Sequence, residues 1–389
     1  MTLPGDAKSF ALIYSIEDPS GSNGFSGVGA QVMGPDDGYL IQYSKDVSSF
    51  WADRNRLALG SVFRRKDPGG VVGSSGYGLK GMIPKERFCQ VVGEGFQASS
   101  RWHQGNIVAC EEGSSGKLES TVDKCSWEFQ IEPSSGWGDF QGRQRSTAGW
   151  LASLPVFEPH WQVLMSHGTA SGWIQWGDEL YEFDRAPAYA EKNWGGGFPN
   201  KWAWIQCNSF YDSPGTSVTA VGAERGLLQI PGVQENVGLI GIHHNDTLYE
   251  VNIKDGQIRW SVEPWGHWIV EGKSSMWEAV IEATCLPSDG TPLRAPTATD
   301  GLAPFCRDSF AGVIHLKLWR AGERGSKDPI IDLVSEGKSG AVEVGGGPWW
   351  STWSVEAKMS EPVKQLLNVP VDIEYLTSFI PPQLRPPGL

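Results

Sequence analysis

The residues best suited to chemistry lie between Tyr189 and Trp204. There Glu191, Lys192 and Asn193 stand beside Trp194, three consecutive glycines follow, and Trp202 and Trp204 close the segment. Consecutive glycines let the backbone pass close to a neighbouring strand or a ligand. Trp202 and Trp204, two apart on a strand, send both indoles to one face. A carboxyl beside indoles in a dry cavity has a raised pKa, because burial penalises its charged form, and so can donate a proton near neutral pH. Indole faces in turn stabilise a cation lodged above the ring. A general acid facing an aromatic wall suits protonation of an alkene. A salt bridge from Lys192 would instead hold Glu191 ionised, but neighbours on a regular strand diverge, so that pairing requires a bulge.

Two further constellations stand elsewhere in the chain: Trp102-His103-Gln104 and Glu158-Pro159-His160-Trp161. On a strand over Phe157 to Met165, Glu158, His160 and Gln162 face one way while Phe157, Trp161, Val163 and Met165 face the other. For all three groups the plainer reading is a hydrogen-bonded polar residue inside an aromatic β core. No GxSxG, HExxH, Walker or Rossmann pattern stands at usable spacing, which removes the commonest hydrolase, metalloprotease, kinase and dehydrogenase readings. Of the seven histidines only His243 and His244 adjoin, and they point to opposite faces of a strand. Neither a metal nor a cofactor is expected.

The elements that must position these residues are strands. Among 389 residues there are 49 Gly, 25 Pro and 19 Trp but only 6 Met, the composition of many short strands joined by turns. Strands are expected at Phe10 to Ile16, Gly27 to Met33 and Gly38 to Tyr43, and again at Leu239 to His244, Thr247 to Ile253, Ile258 to Val262, Trp265 to Val270, Trp277 to Cys285 and Phe310 to Trp319. Arg64 to Pro84 reads as a loop, Cys110 to Lys117 as a turn, and Glu361 to Asn368 as a helix. A chain this long is expected to form two β halves, residues 1–190 and 191–389. The fold class is mainly β with little helix: two antiparallel barrel-like or sandwich halves of the lipocalin kind, which enclose apolar ligands. A second triple glycine, at Gly345, followed by tryptophans loosely echoes the first.

With 45 acidic against 32 basic residues and no basic run, neither nucleic acid nor anionic lipid is a partner by charge. Six scattered cysteines without CxxC pairing read as reduced thiols. No apolar run reaches about 18 residues, so no transmembrane span is expected. The first residues resemble neither a signal peptide nor a transit segment.

Ser146 to Trp150, Phe157-Glu-Pro-His-Trp-Gln162, Glu191-Lys-Asn-Trp-Gly-Gly-Gly-Phe-Pro199, Thr291-Pro-Leu-Arg-Ala-Pro-Thr297 and the closing Pro386-Pro-Gly-Leu389 together resemble the tocopherol cyclases of plants and cyanobacteria, from about Ser9 onward. The resemblance implies redox-neutral ring closure of a phytyl-benzoquinol to a chromanol. The alkene accepts a proton, the phenol oxygen captures the tertiary cation, and water is kept out. It also implies a plastid setting, peripheral association with lipid bodies and a small hydrophobic prenyl-quinol substrate. Members of that family carry an upstream strand with a Phe-Glu-Gly-Trp-Tyr motif, so this chain is expected to begin partway along it. More remotely, Tyr189-x-Glu-x-x-Trp-Gly195 is similar to a segment of carotenoid hydratases, which also protonate an isoprenoid alkene. On these likenesses Glu191 is expected to be the acid, with His160 and Glu158 as catalytic partners. His103, Trp161, Asn193, Trp194, Trp202 and Trp204 are expected to hold the substrate.

A non-catalytic lipocalin-like carrier of prenyl quinones or carotenoids would need the cavity without the acidity of Glu191. A carbohydrate-binding β protein would need exposed indoles beside polar side chains.

Overall fold

The computed structural model describes residues 1–3, 8–53, 56–67, 69–73, 81–111, 118–138, 146–147, 159–226, 234–347, 351–359, 379 and 381. Nearly all of its regular structure is β, in antiparallel sheets that divide between two units. The first unit holds Met1–Ser134, Gly168–Ala188 and Thr291–Cys306; the second holds Ser135–His167, Tyr189–Gly290 and Arg307–Leu389. Three long strands, His160–Trp176, Glu179–Trp194 and Gly301–Arg320, contribute residues to both.

In the first unit, Ala11–Glu17, Gly27–Met33 and Tyr39–Ser44 form an antiparallel meander, joined at its edge by the short parallel strand Cys110–Glu111. A second sheet runs through Trp51–Ala52, Ala58–Arg65, Val92–Ser99, Trp102–Val108 and Lys124–Ser135 to the long strands. The remote segment Thr291–Cys306 is tied in through Gln31, a buried amide that uses both ends. Its Nε2 donates to the Arg294 carbonyl at 3.1 Å, and its Oε1 accepts from the Arg294 N–H at 3.0 Å and the Tyr39 hydroxyl at 2.7 Å. Such a buried side chain costs free energy unless it is paired, and here both its nitrogen and its oxygen have partners.

The second unit is built on a twelve-stranded sheet whose path runs from Thr247–Asn252 through Gln234–His244, Ser217–Gly226, Lys201–Cys207 and Gly340–Gly345. It continues through Gly301–Arg320, Trp277–Thr284, His267–Lys273 and Gln257–Glu263 to Trp353–Lys358. The sheet curls, so that Gln234–His244 comes against Trp353–Lys358 and the inward side chains form one apolar core. Period-two alternation makes this possible. In Gln257–Glu263, Ile258, Trp260 and Val262 are buried while Arg259 and Glu263 are exposed. Gly222 leaves room for the Trp260 indole, since a Cβ there would stand 2.4 Å from that ring. Asn245 and Asp246, both at positive φ, turn the hairpin between Gln234–His244 and Thr247–Asn252, which suits a type I′ turn.

The stretch read as a loop, Arg64 to Pro84, is followed at once by a short helix, Lys85–Val91, with Phe88 buried against Val62 and Val92. That helix went unforeseen because two turns carry too little periodicity to show. The helix expected at Glu361 to Asn368 lies outside the described residues. Among the described residues no helix is long and apolar enough to cross a membrane.

Candidate active site

On the strand Glu179–Trp194, alternation sends Tyr189, Glu191 and Asn193 to one face and Lys192 and Trp194 to the other. The Glu191 carboxyl meets a set of donors. The Trp161 indole N–H donates to its Oε2 at 2.8 Å, and the Tyr189 hydroxyl donates to the same oxygen at 2.7 Å. The Asn193 amide lies near enough to the carboxyl to favour its ionised form. The Trp204 indole lies 6.1 Å from the Tyr189 ring, and its buried N–H has no well-aligned partner among the described residues. That N–H is still near enough to both the carboxyl and the Tyr189 hydroxyl to favour their ionised forms.

These donors and the burial act in opposite directions on Glu191. Burial of the carboxyl raises its pKa above the ordinary value, while Tyr189, Trp161, Asn193 and Trp204 pull it down; burial is the larger effect, and the pKa stays raised. Glu191 as a whole is half-buried, but its carboxyl end, the part that titrates, is enclosed. Tyr189 is held well above the usual phenol range, first by burial and then by the neighbouring carboxylate, so it remains a donor. An oxygen that accepts two hydrogen bonds serves best as the carbonyl oxygen of a protonated carboxyl, which leaves Oε1 to carry the transferable proton.

Around the carboxyl is a small apolar cluster, distinct from the main core of this unit. Trp137, Val163 and Leu239 are buried at its centre, with Trp161, Tyr189, Val221 and Leu248 against them. The strand Lys201–Cys207 separates the two clusters. Ala203, Ile205 and Cys207 enter the main core, whereas Trp202, Trp204 and Gln206 alternate to the carboxyl's side. Trp202 is buried there, with its N–H bonded to Glu343 and its ring edge-on to Phe198 at 5.3 Å.

The residues expected at the site therefore fall into separate groups. Glu191, Trp161, Asn193 and Trp204 come together, and Trp202 shares their face. His160 is buried and stacks on Trp194, with ring centroids 5.0 Å apart. Since His160 alternates with Trp161 and Trp194 with Asn193, this pair belongs to the opposite side of its sheet. Lys192 follows them, its ammonium 4.6 Å from the Trp194 ring centre. His103 belongs to the first unit, where Nδ1 lies 3.3 Å from the Tyr14 hydroxyl and the ring stacks on Phe129 at 5.0 Å. Burial pushes the His103 pKa down to about 4, so it is neutral near pH 7. Glu158 lies outside the described residues. The role of Tyr189 was not anticipated, although stepping back two residues from Glu191 reaches it.

A family model described as tocopherol cyclase-like matches residues 1–346. A protein of Zea mays named "Tocopherol cyclase, chloroplastic" is 40% identical over 402 residues, covering 100% of this chain and 82% of that protein. A probable chloroplastic tocopherol cyclase of Oryza sativa subsp. japonica is 39% identical, with the same coverage. Among solved structures, a Nitrosomonas europaea protein described as a "putative AttH" aligns over 87% of this chain and 86% of its own, at 11% identity and a TM-score of 0.40, too slight a likeness to argue from. Matches of that identity along the whole chain mean that it belongs to the tocopherol cyclase-like family.

Proposed function

We propose that this protein is a tocopherol cyclase in which Glu191 protonates the tail alkene of a phytyl-substituted benzoquinol and the indoles of Trp161 and Trp204 flank the cation that results. One observation carries the assignment of the acid. The Glu191 carboxyl is enclosed, its pKa is raised by that enclosure, and two of its neighbours present indoles. The proton leaves Oε1 for the less substituted alkene carbon, leaving a tertiary cation. The phenol oxygen forms the new C–O bond and gives up its proton, and the carboxylate is the base at hand to take it back. No electron is gained or lost, so the reaction is an isomerisation and needs no redox partner.

Burial serves this chemistry twice. It favours the protonated form of Glu191, and it excludes the water that would otherwise capture the cation. The indole faces stabilise the transient charge by their quadrupoles. Both relatives are named chloroplastic, which supports a plastid setting for this chain. A phytyl tail partitions into lipid, so we place the enzyme at the surface of a membrane or lipid body.

The test is conversion of the reduced phytyl-benzoquinol in heavy water. Deuterium on the chroman carbon next to the closure point, lost together with turnover in Glu191→Gln, is the expected result. Binding of the quinol without any ring closure by the unaltered protein would make it a carrier instead.

A further inference from the structure

Two polar side chains on the carboxyl's face have no role in the scheme above. Gln206 is 8% exposed and Ser217 is 1% exposed, and among the described residues Gln206 Nε2 and Ser217 Oγ have no hydrogen-bond partner. Buried polar groups are normally paired, and each unpaired one calls for an explanation. Their placement suggests one. Gln206 lies two residues beyond Trp204 on the same face, and its Cα is paired with Thr219, whose side chain is near enough to the Tyr189 hydroxyl to favour its ionised form. Ser217 lies two residues before Thr219 and so faces the same way. Neither belongs to the main apolar core, whose residues on these two strands are Ala203, Ile205, Cys207, Val218 and Ala220.

A line of donors thus leads away from Glu191: the Trp204 N–H, then Gln206 Nε2, then Ser217 Oγ. The step from Trp204 to Gln206 spans about 6.6 Å, two residues at the rise of a strand. Donors at successive stations along one face suit a ligand with an acceptor oxygen at each end of an aromatic ring.

We propose that Gln206 and Ser217 bind the quinol hydroxyl para to the oxygen that closes the ring, so that the ring is held with its reacting oxygen toward Glu191. The proposal rests on the cyclase reading for the identity of the ligand. Gln206 and Ser217 form the far end of the head-group site and read the second hydroxyl, which takes no part in the reaction. A phenol lacking that hydroxyl leaves both side chains buried and unpaired, and a site built to bond a hydroxyl discriminates strongly against such an analogue.

The experiment compares two ligands, the reduced phytyl-benzoquinol and the matching phytyl-phenol without the para hydroxyl. Binding is followed by quenching of tryptophan fluorescence in the unaltered protein, Gln206→Met and Ser217→Ala, and turnover is recorded separately. The expected result is that the unaltered protein prefers the diol by about tenfold or more, and that each variant loses most of this preference while binding the phenol as before. The preference is a ratio within one preparation, so partial misfolding scales both ligands alike. Equal binding of the two ligands by the unaltered protein, or an undiminished preference in both variants, would overturn the proposal and leave the two groups to buried water. Selective binding without turnover would retain the subsite and remove the cyclase reading instead.

Discussion

Tyr189 and Glu191, two residues apart on one strand, are joined by a 2.7 Å hydrogen bond from the phenol hydroxyl to Oε2. Same-face neighbours on a strand seldom reach each other unless one is long, and the tyrosine supplies the reach. The bond orients the carboxyl and favours its ionised form, while burial favours the neutral form and prevails. The site is therefore a carboxyl whose neutral form is favoured by burial and whose direction is fixed by its donors.

Replacing Glu191 by Gln removes the acid and retains the shape. General acid catalysis contributes about 10²- to 10⁴-fold, so kcat for chroman formation falls by at least about 100-fold. Quinol binding stays within a few-fold, and the thermal midpoint does not fall, because a neutral amide costs no more to bury than a carboxyl whose charged form is penalised. Retained turnover would remove Glu191 from the proton transfer.

The pH dependence has a defined sign. Activity needs the protonated carboxyl, so the rate is flat on the acid side and falls as pH rises through the raised pKa of Glu191. Stability follows the same direction. A carboxyl whose folded pKa lies above its ordinary 4.5 contributes fully below that value, and the contribution is lost as pH rises through the folded one. Glu17, pushed up to about 7 by burial, adds a stability loss of the same sign. Comparing melting profiles of Glu17→Gln and Glu191→Gln across pH separates the two, and only the second abolishes the limb in the rate.

Trp161→Phe removes a donor from the ionised carboxyl. A hydrogen bond to a charged acceptor is worth about 1.5–3 kcal/mol, and each pH unit corresponds to about 1.4 kcal/mol. The alkaline limb should move upward by about one to two units, and the low-pH plateau should fall, because a phenyl face stabilises the cation less well than an indole. A limb that stays in place would belong to some other group.

Lys192→Ala makes the complementary test. Its ammonium stands over Trp194 on the far side of the strand, so its removal should leave the position of the alkaline limb unchanged. A measurable upward shift in the pH–rate profile would mean that the lysine charge reaches the carboxyl after all.

Much of the β framework is legible locally, because inward apolar residues and turn residues punctuate it. Gly27–Met33 is found where its pattern puts it, and the strand expected at Phe10 to Ile16 is Ala11–Glu17. The strand read from Phe157 to Met165 is instead the first part of a much longer one, His160–Trp176. Its continuation through Ser166-His-Gly-Thr-Ala-Ser-Gly172 is small and polar and shows no alternation. At the site, the step of two from Trp202 to Trp204 and on to Gln206 was available in the sequence. The contact of Trp161 with Glu191, thirty residues apart, was not, since it depends on how two long strands pair. The grouping of His160 and Trp194 with Glu191 dissolves for a related reason: adjacent residues share a stretch of sequence but not a face.

The second triple glycine adds a last test, because Gly345 is directly paired with Trp202 across two strands. A Cβ on Gly345 would stand 2.1 Å from the Trp202 ring, and the indole N–H is committed to Glu343. The strand carrying Gly345 is held in a register, and the ring has no direction in which to yield cheaply. Gly345→Ala should therefore destabilise the protein by about 1–3 kcal/mol, the usual cost of overpacking. It should also reduce kcat without moving the alkaline limb, since Trp202 shares a face with the site but does not touch the carboxyl. Adding Trp202→Phe should recover part of the lost stability, because the smaller ring gives the new methyl room, and denaturant melts of the two single variants and the double variant measure that coupling. Strictly additive losses would mean that the methyl meets something other than the indole.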